Sequence, residues 1–165
     1  MKKSSTTAML LIKNCAACAY NFMDLICQVA CSPYQSEFMW ADMDGEKPDD
    51  YTEGSVPALV VQVSEVFAKG MYDSCKNVHG LLGLSALPLL CGTKDCSPSI
   101  WLEYIGGISN GQAPFPINYK ISSIPMPTAD GTVLDPLNMP SARCNFPVTG
   151  SSEYLGELLK HNLFQ

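Results

Sequence analysis

The sequence is short of positive charge: ten lysines and arginines stand against sixteen aspartates and glutamates, giving a net charge of -6 over 165 residues and a pI near 4.7. Phosphate backbones repel such a chain, so nucleic acid is excluded as a partner. It also lacks a long apolar run. The longest, Leu81 to Leu90, is interrupted by Ser85 and Pro88 and reaches half of the roughly 20 residues that a membrane helix needs. Histidine is scarce, and His79, beside Gly80, and His161, near the end, read as solvated side chains. There is no serine nucleophile elbow, no P-loop and no internal repeat, and Asp42, Asp44, Asp49 and Asp50 read as a solvated acidic loop. Catalysis is therefore not expected, nor is a cofactor.

What remains has the composition of one ordinary folded domain: 47% hydrophobic and 16% charged residues, with a mean hydropathy of +0.07, which excludes disorder. Met1 to Ile12 begins with Lys2 and Lys3 but offers only Ala8 to Ile12 as an apolar core, shorter than the roughly 7 to 15 residues of a secretory signal. Eight cysteines, an even number far above cytosolic usage, nevertheless argue for disulfides in an oxidising compartment. A secretory interior behind a front without an export signal leads us to expect a piece of a longer protein.

Cys15-x2-Cys18 and Cys27-x3-Cys31 have spacings used by zinc thiolates. If both pairs ride one helix, however, Cys18 and Cys27 lie about 13 Å apart along the axis and face different directions, so one tetrahedral ion cannot collect all four. A redox motif lacks its preceding strand. Structural disulfides are the better reading, each worth ~2 to 4 kcal/mol. A helix held from two sides in this way suits a domain that keeps a cavity. Cys91 and Cys96 enclose a loop short enough to close on itself; eight cysteines otherwise allow on the order of a hundred pairings.

The hydrophobic period predicts a helix from Cys15 to Ala30, with Cys15, Cys18, Phe22, Leu25, Ile26 and Val29 on one face and Cys27 and Cys31 on another. Ser32-Pro33 ends it. A second helix is expected from Val56 to Lys76, with Ser55 as its cap, Pro57 in its first turn and Val60, Val63, Phe67, Met71 and Ser74 in helical period; its valines would also suit a strand, but the length decides for helix. A third is marked by Ser97 as cap, Pro98 at the first position and Gly106-Gly107 as stop. Ser109 to Phe115 follows as an exposed turn. Six prolines between Pro114 and Pro140 confine that stretch to edge strand and loop, with a turn at Asp130-Gly131. Ser152 to Asn162 reads as a fourth helix. Trp40, Trp101, Phe38, Phe67 and Phe115 are expected to fill the core rather than line a site.

Three strings add a resemblance to these readings: CAACAYNFMDLICQVACSPYQSEF (Cys15 to Phe38), MYDSC (Met71 to Cys75) and LLCGTKDCSPSIWLEYIGGISNGQAPFPI (Leu89 to Ile117). In their joint order they resemble the N-terminal luminal sterol-binding domain of the Niemann-Pick C1 family. The resemblance covers Cys15 to Cys144, leaving residues 1–14 as a non-matching extension and 145–165 as a divergent tail. It implies an α+β fold: helices packed with a small mixed sheet around an apolar pocket, stabilised by disulfides, which binds a cholesterol-like sterol and passes it on.

By position, the resemblance places the pocket wall at Ala19, Asn21, Ile26, Val29 and Ala30, and the pocket mouth at Pro114, Phe115 and Ile117. Leu89, Leu90 and Asp95 would form the rim across which sterol is exchanged with a small soluble luminal Niemann-Pick sterol carrier. The family pairing implies Cys18 with Cys75 and Cys91 with Cys96. It assigns Cys27 and Cys31 to upstream partners and Cys15 and Cys144 to a downstream cluster; Cys15 with Cys144 is a substitute pair within this chain. Further implied partners are the sterol itself and a membrane-embedded remainder of a transporter, and the implied location is the lumen of a late endosome or lysosome, or the extracellular side. The family's cysteine-rich segment upstream of the first helix, which supplies its main contacts to the sterol hydroxyl, has no counterpart in residues 1–14, and no Asn-x-Ser/Thr glycosylation acceptor occurs. The competing expectation is a truncated, disulfide-stabilised interaction module that binds no sterol.

Overall fold

A computed structural model describes residues 15–45, 47, 51–79, 85–111 and 113–144. The helix expected near the C-terminus, the N-terminal extension and His161 lie outside them. Helix α1 (Ala16–Cys31) follows the predicted period: Cys18, Phe22 and Leu25 are buried, Ile26 and Val29 half-buried, and Cys27 and Cys31 exposed. The Cys15 sulfur accepts from the Cys18 amide at its start, and the Ser32 amide donates to the Gln28 carbonyl at its end. After Ser32-Pro33 comes a single turn, α2 (Gln35–Phe38), leading straight into strand β1 (Met39–Asp42).

The helix expected from Ser55 is half wrong. Residues Ala58–Ser64 form strand β2, and the helix, α3 (Glu65–Cys75), begins only after it. The helical spacing of Val60, Val63 and Phe67 is coincidental. The run Ala-Leu-Val-Val-Gln-Val-Ser is rich in β-branched residues, and non-local pairing decides its fate: β2 is antiparallel to β1 and parallel to β3 (Ile117–Ser122), so it is the central strand of a mixed three-stranded sheet. Ser64, not Ser55, is the cap, its hydroxyl accepting from the Phe67 amide at 3.0 Å.

Among the described residues, two further helices lie between α3 and β3. Helix α4 (Ala86–Cys91) is followed by the loop closed by Cys91 and Cys96. Helix α5 (Pro98–Gly106) has the predicted Ser97 cap and Pro98 start, and stops at Gly107, whose amide donates to the Tyr104 carbonyl. A Cβ on Gly106 would run into the carbonyl of Ile117, so glycine there lets the helix end lie directly on β3. The proline-rich stretch gives β3 and a small hairpin of β4 (Met126–Pro127) and β5 (Val133–Leu134), turning at Asp130-Gly131 as expected.

Between α1, α3, α5 and the sheet lies one core: Phe22, Leu25, Val61, Val63, Phe67, Met71, Trp101, Leu102 and Ile105 are all buried. Trp101 is wholly buried and stacks on Phe22, ring centroids 5.9 Å apart. Phe38, Phe67 and Trp101 are core residues as expected, whereas Trp40 and Phe115 are only half-buried. The fold is therefore α+β with a small mixed sheet and three disulfides, joining Cys15 to Cys144, Cys18 to Cys75 and Cys91 to Cys96.

The hairpin turn carries a pH signature. Asp130 accepts from the Thr128 hydroxyl, the Thr132 amide and the Trp40 indole, which hold its carboxyl down at about 2. A carboxyl lowered by folding adds stability that is present above the unfolded value near 3.8 and is lost as pH falls from there towards 2. The expected result is a side-chain NMR titration of Asp130 with a midpoint near 2, moving towards 3.8 in a Thr128→Ala variant; an unshifted midpoint would contradict the hydrogen-bonded turn.

Candidate functional site

The mouth loop predicted from the sequence is held from both ends. Gly106 seats α5 on β3, the Asn110 side-chain amide donates to the Tyr104 carbonyl at 2.7 Å, the Ala113 amide donates to Gly107 at 3.1 Å, and the Pro116 carbonyl accepts from Leu59 at 2.9 Å. These bonds tie the loop back to the end of α5 on one side and to β2 on the other. Beside it opens a cleft of about 910 Å3, whose apolar lining includes Ile108, Ala113, Pro114, Pro116 and Ile117, with Glu103, Lys47 and Lys120 among its polar lining residues. Tyr119 also lines it; loss of water around the ring pushes its phenol well above its ordinary value, so the hydroxyl stays neutral and keeps both donor and acceptor capacity.

The predicted positions separate into groups. Pro114 and Ile117 share the cleft, and the half-buried Phe115 lies between them in the chain. None of Ala19, Asn21, Ile26, Val29 and Ala30 lines that cleft. Ala19 and Asn21 are fully buried, Ile26 and Val29 half-buried against the core, and Ala30 exposed. Asn21 is occupied by the protein itself: its amide nitrogen donates to the Ser74 hydroxyl at 3.0 Å and to the Ala142 carbonyl at 2.9 Å, while its oxygen accepts from the Ala142 amide at 2.9 Å. It ties α1 to α3 and to the segment before Cys144. On α4, Leu89 is exposed and Leu90 buried, with Asp95 exposed on the closed loop that follows.

Sequence reasoning missed the cleft's Tyr119, because nothing local marks a strand tyrosine as half-covered by a distant helix end. It also missed an unpartnered group in the core: the Trp101 indole N–H is buried without an acceptor. The thiols left over, Cys27 and Cys31, sit four residues apart on the exposed face of α1. Partial burial, then Cys31 and Asp24, push the Cys27 thiol up, so it remains protonated at neutral pH. Cys15 and Cys18 are engaged in separate disulfides, and no group of three or more metal-ligating side chains occurs among the described residues. Nor is any of their helices long and apolar enough to cross a membrane.

A disulfide-braced α+β unit with a loop tied to a helix end beside a surface cleft is the class of protein this fold and site define. Comparison with known proteins gives the family. The model of the Niemann-Pick C1 N terminus matches residues 1–153, and the chain belongs to that family. Relatives include the NPC intracellular cholesterol transporter 1 of Sus scrofa, 34% identical over 131 residues and 76% of this chain. The NPC1-like intracellular cholesterol transporter 1 of Homo sapiens is 30% identical over 152 residues and 88% of this chain, and the Caenorhabditis elegans homolog 1 of the NPC transporter is 30% identical over 170 residues and 93%. The chain spans 10 to 12% of the length of these relatives, which are named as cholesterol transporters rather than as enzymes.

Proposed function

We propose that this chain binds a cholesterol-like sterol and hands it on, without catalysis. The observation that carries the reading is the Pro114-Phe115 loop, tied to the end of α5 beside a cleft of mixed polar and apolar lining, in a chain of the Niemann-Pick C1 N-terminal family. The cleft's volume of about 910 Å3 lies within the ~300 to 1,000 Å3 of small-molecule sites. A fused ring system loses little conformational entropy on binding, and each CH2-sized unit taken from water contributes ~0.8 kcal/mol. The sterol hydroxyl would cost ~1 to 3 kcal/mol if left unpaired; the neutral Tyr119 phenol is one of the groups in the cleft, with Ser99, Ser109 and Asn118, able to satisfy it.

Under this reading the α1 positions Ala19, Ile26, Val29 and Ala30 stand outside the Pro114 cleft and make no wall for the sterol there, Asn21 ties α1 to α3, and Leu89, Leu90 and Asp95 form the rim that meets a soluble luminal sterol carrier. The family's transporters supply the setting: a membrane-embedded remainder as partner and an endosomal, lysosomal or extracellular location. A second reading, an interaction module without sterol, is favoured by the exposed strip of Tyr20, Cys27, Ala30 and Cys31 on α1.

Photo-crosslinking separates the two. A diazirine-bearing cholesterol, competed by unlabelled cholesterol and mapped by mass spectrometry, is expected to label Ala113 to Lys120, with most of the signal lost in a Tyr119→Ala, Ile117→Ala variant that keeps its circular dichroism. Labelling that unlabelled cholesterol does not compete, or that falls only on the exposed α1 strip, would support the module instead.

A further inference from the structure

Charge is unevenly distributed on this acidic molecule. Along α3 and the turn after it runs a second cleft, of about 720 Å3, lined by Lys69, Lys76 and Arg143 against a single carboxylate among the described residues, Asp73. Its formal charge is opposite in sign to the chain's net of -6, and Arg143 is the only arginine in the sequence. Lys69 and Lys76 both bond Asp73, the latter at 2.9 Å, and the two ammonium groups hold its carboxyl below the usual range. Two of the three cations thus share one anion, and the third, Arg143, does not pair with it.

Arg143 is held in place by its neighbours. Ala142 exchanges two hydrogen bonds with Asn21, and Cys144 is covalently joined to Cys15, so the backbone on either side is tied to α1. Ser141 lies against Gly70 of α3, where a Cβ would overlap its hydroxyl. The guanidinium itself is exposed and forms no ion pair among the described residues. A planar fork of N–H donors that lines the same cleft as two ammonium point charges, with Ser141 and Asn77 also in the lining, suits a tetrahedral oxyanion with several acceptor oxygens.

We infer that this cleft binds a phosphate group, carried by an anionic lipid headgroup or by a soluble phosphate compound. Arg143 takes two of its oxygens, and Lys69 and Lys76 divide their charge between the phosphate and Asp73. The site is open to solvent, so binding weakens as salt is raised. It is separate from the cleft at Pro114 and does not depend on sterol binding.

The test is a titration of the full, oxidised chain with inorganic pyrophosphate, followed by amide NMR, together with flotation on phosphatidylcholine vesicles with and without phosphatidic acid. Saturable shifts are expected at Asn77, Ser141 and Arg143. Arg143→Ala should weaken binding about tenfold. Asp73→Asn should tighten it several-fold by removing the competing anion, a gain that misfolding cannot produce. Flotation that requires phosphatidic acid and is lost in Arg143→Ala assigns a lipid headgroup; pyrophosphate binding without flotation assigns a soluble phosphate. If neither probe gives a saturable response, or if both variants match the unsubstituted chain, the inference is overturned.

Discussion

A Cys18→Ala, Cys75→Ala variant is expected to lose about 4 kcal/mol of stability, the value that loop closure gives for a bridge spanning 57 residues. That is a large part of the ~5 to 15 kcal/mol that separates a domain from its unfolded ensemble. Both sulfurs are fully buried between α1 and α3, so the substitution also removes packed atoms where the two helices meet. Cys91→Ala, Cys96→Ala is the control. Its bridge spans 5 residues, and the same relation gives about 2 kcal/mol. Thermal melts of the two variants beside the unsubstituted chain would show the difference; equal midpoints would mean that the α1–α3 bridge does not brace the fold.

The second large effect is at Trp101. Truncation to alanine would open a cavity beside Phe22 and is expected to cost ~3 to 5 kcal/mol. Trp101→Phe should be far milder. Phenylalanine keeps a ring to stack on Phe22, and it removes the indole N–H that is buried without an acceptor, relieving a cost of ~1 to 3 kcal/mol that offsets the lost volume. Denaturant unfolding that ranks Trp101→Phe close to the unsubstituted chain and Trp101→Ala far below it is the predicted pattern. Similar losses for both would place the stabilisation in the indole itself, not in ring packing.

The elements that the sequence made legible are those whose signals are local. Helix α5 announces itself through Ser97, Pro98 and the glycine pair, and α1 through its apolar period and the Ser32-Pro33 stop. Strand β2 was hidden for the converse reason: its identity depends on β1 some twenty residues before it and β3 more than fifty after it, and a run of valines beside a helix extends the helical period by chance. Pro114 and Ile117, which line the candidate cleft, lie in the string that carries the family resemblance, whereas Tyr119 became visible only once Gly106 had placed α5 against β3. The role of Asn21 could not be read from its neighbours in sequence, because its partners lie 53 and 121 residues away.

The central claim is that the loop at Pro114 and Phe115 admits a sterol to this domain. It is tested most directly by equilibrium binding of labelled cholesterol to the purified, oxidised chain and to a Pro114→Ala, Phe115→Ala variant with an unchanged melting curve. The account predicts saturable binding by the former, weakened about tenfold or more by loss of the apolar mouth. Uptake no greater than that of denatured protein, or equal affinity in the variant, would contradict it.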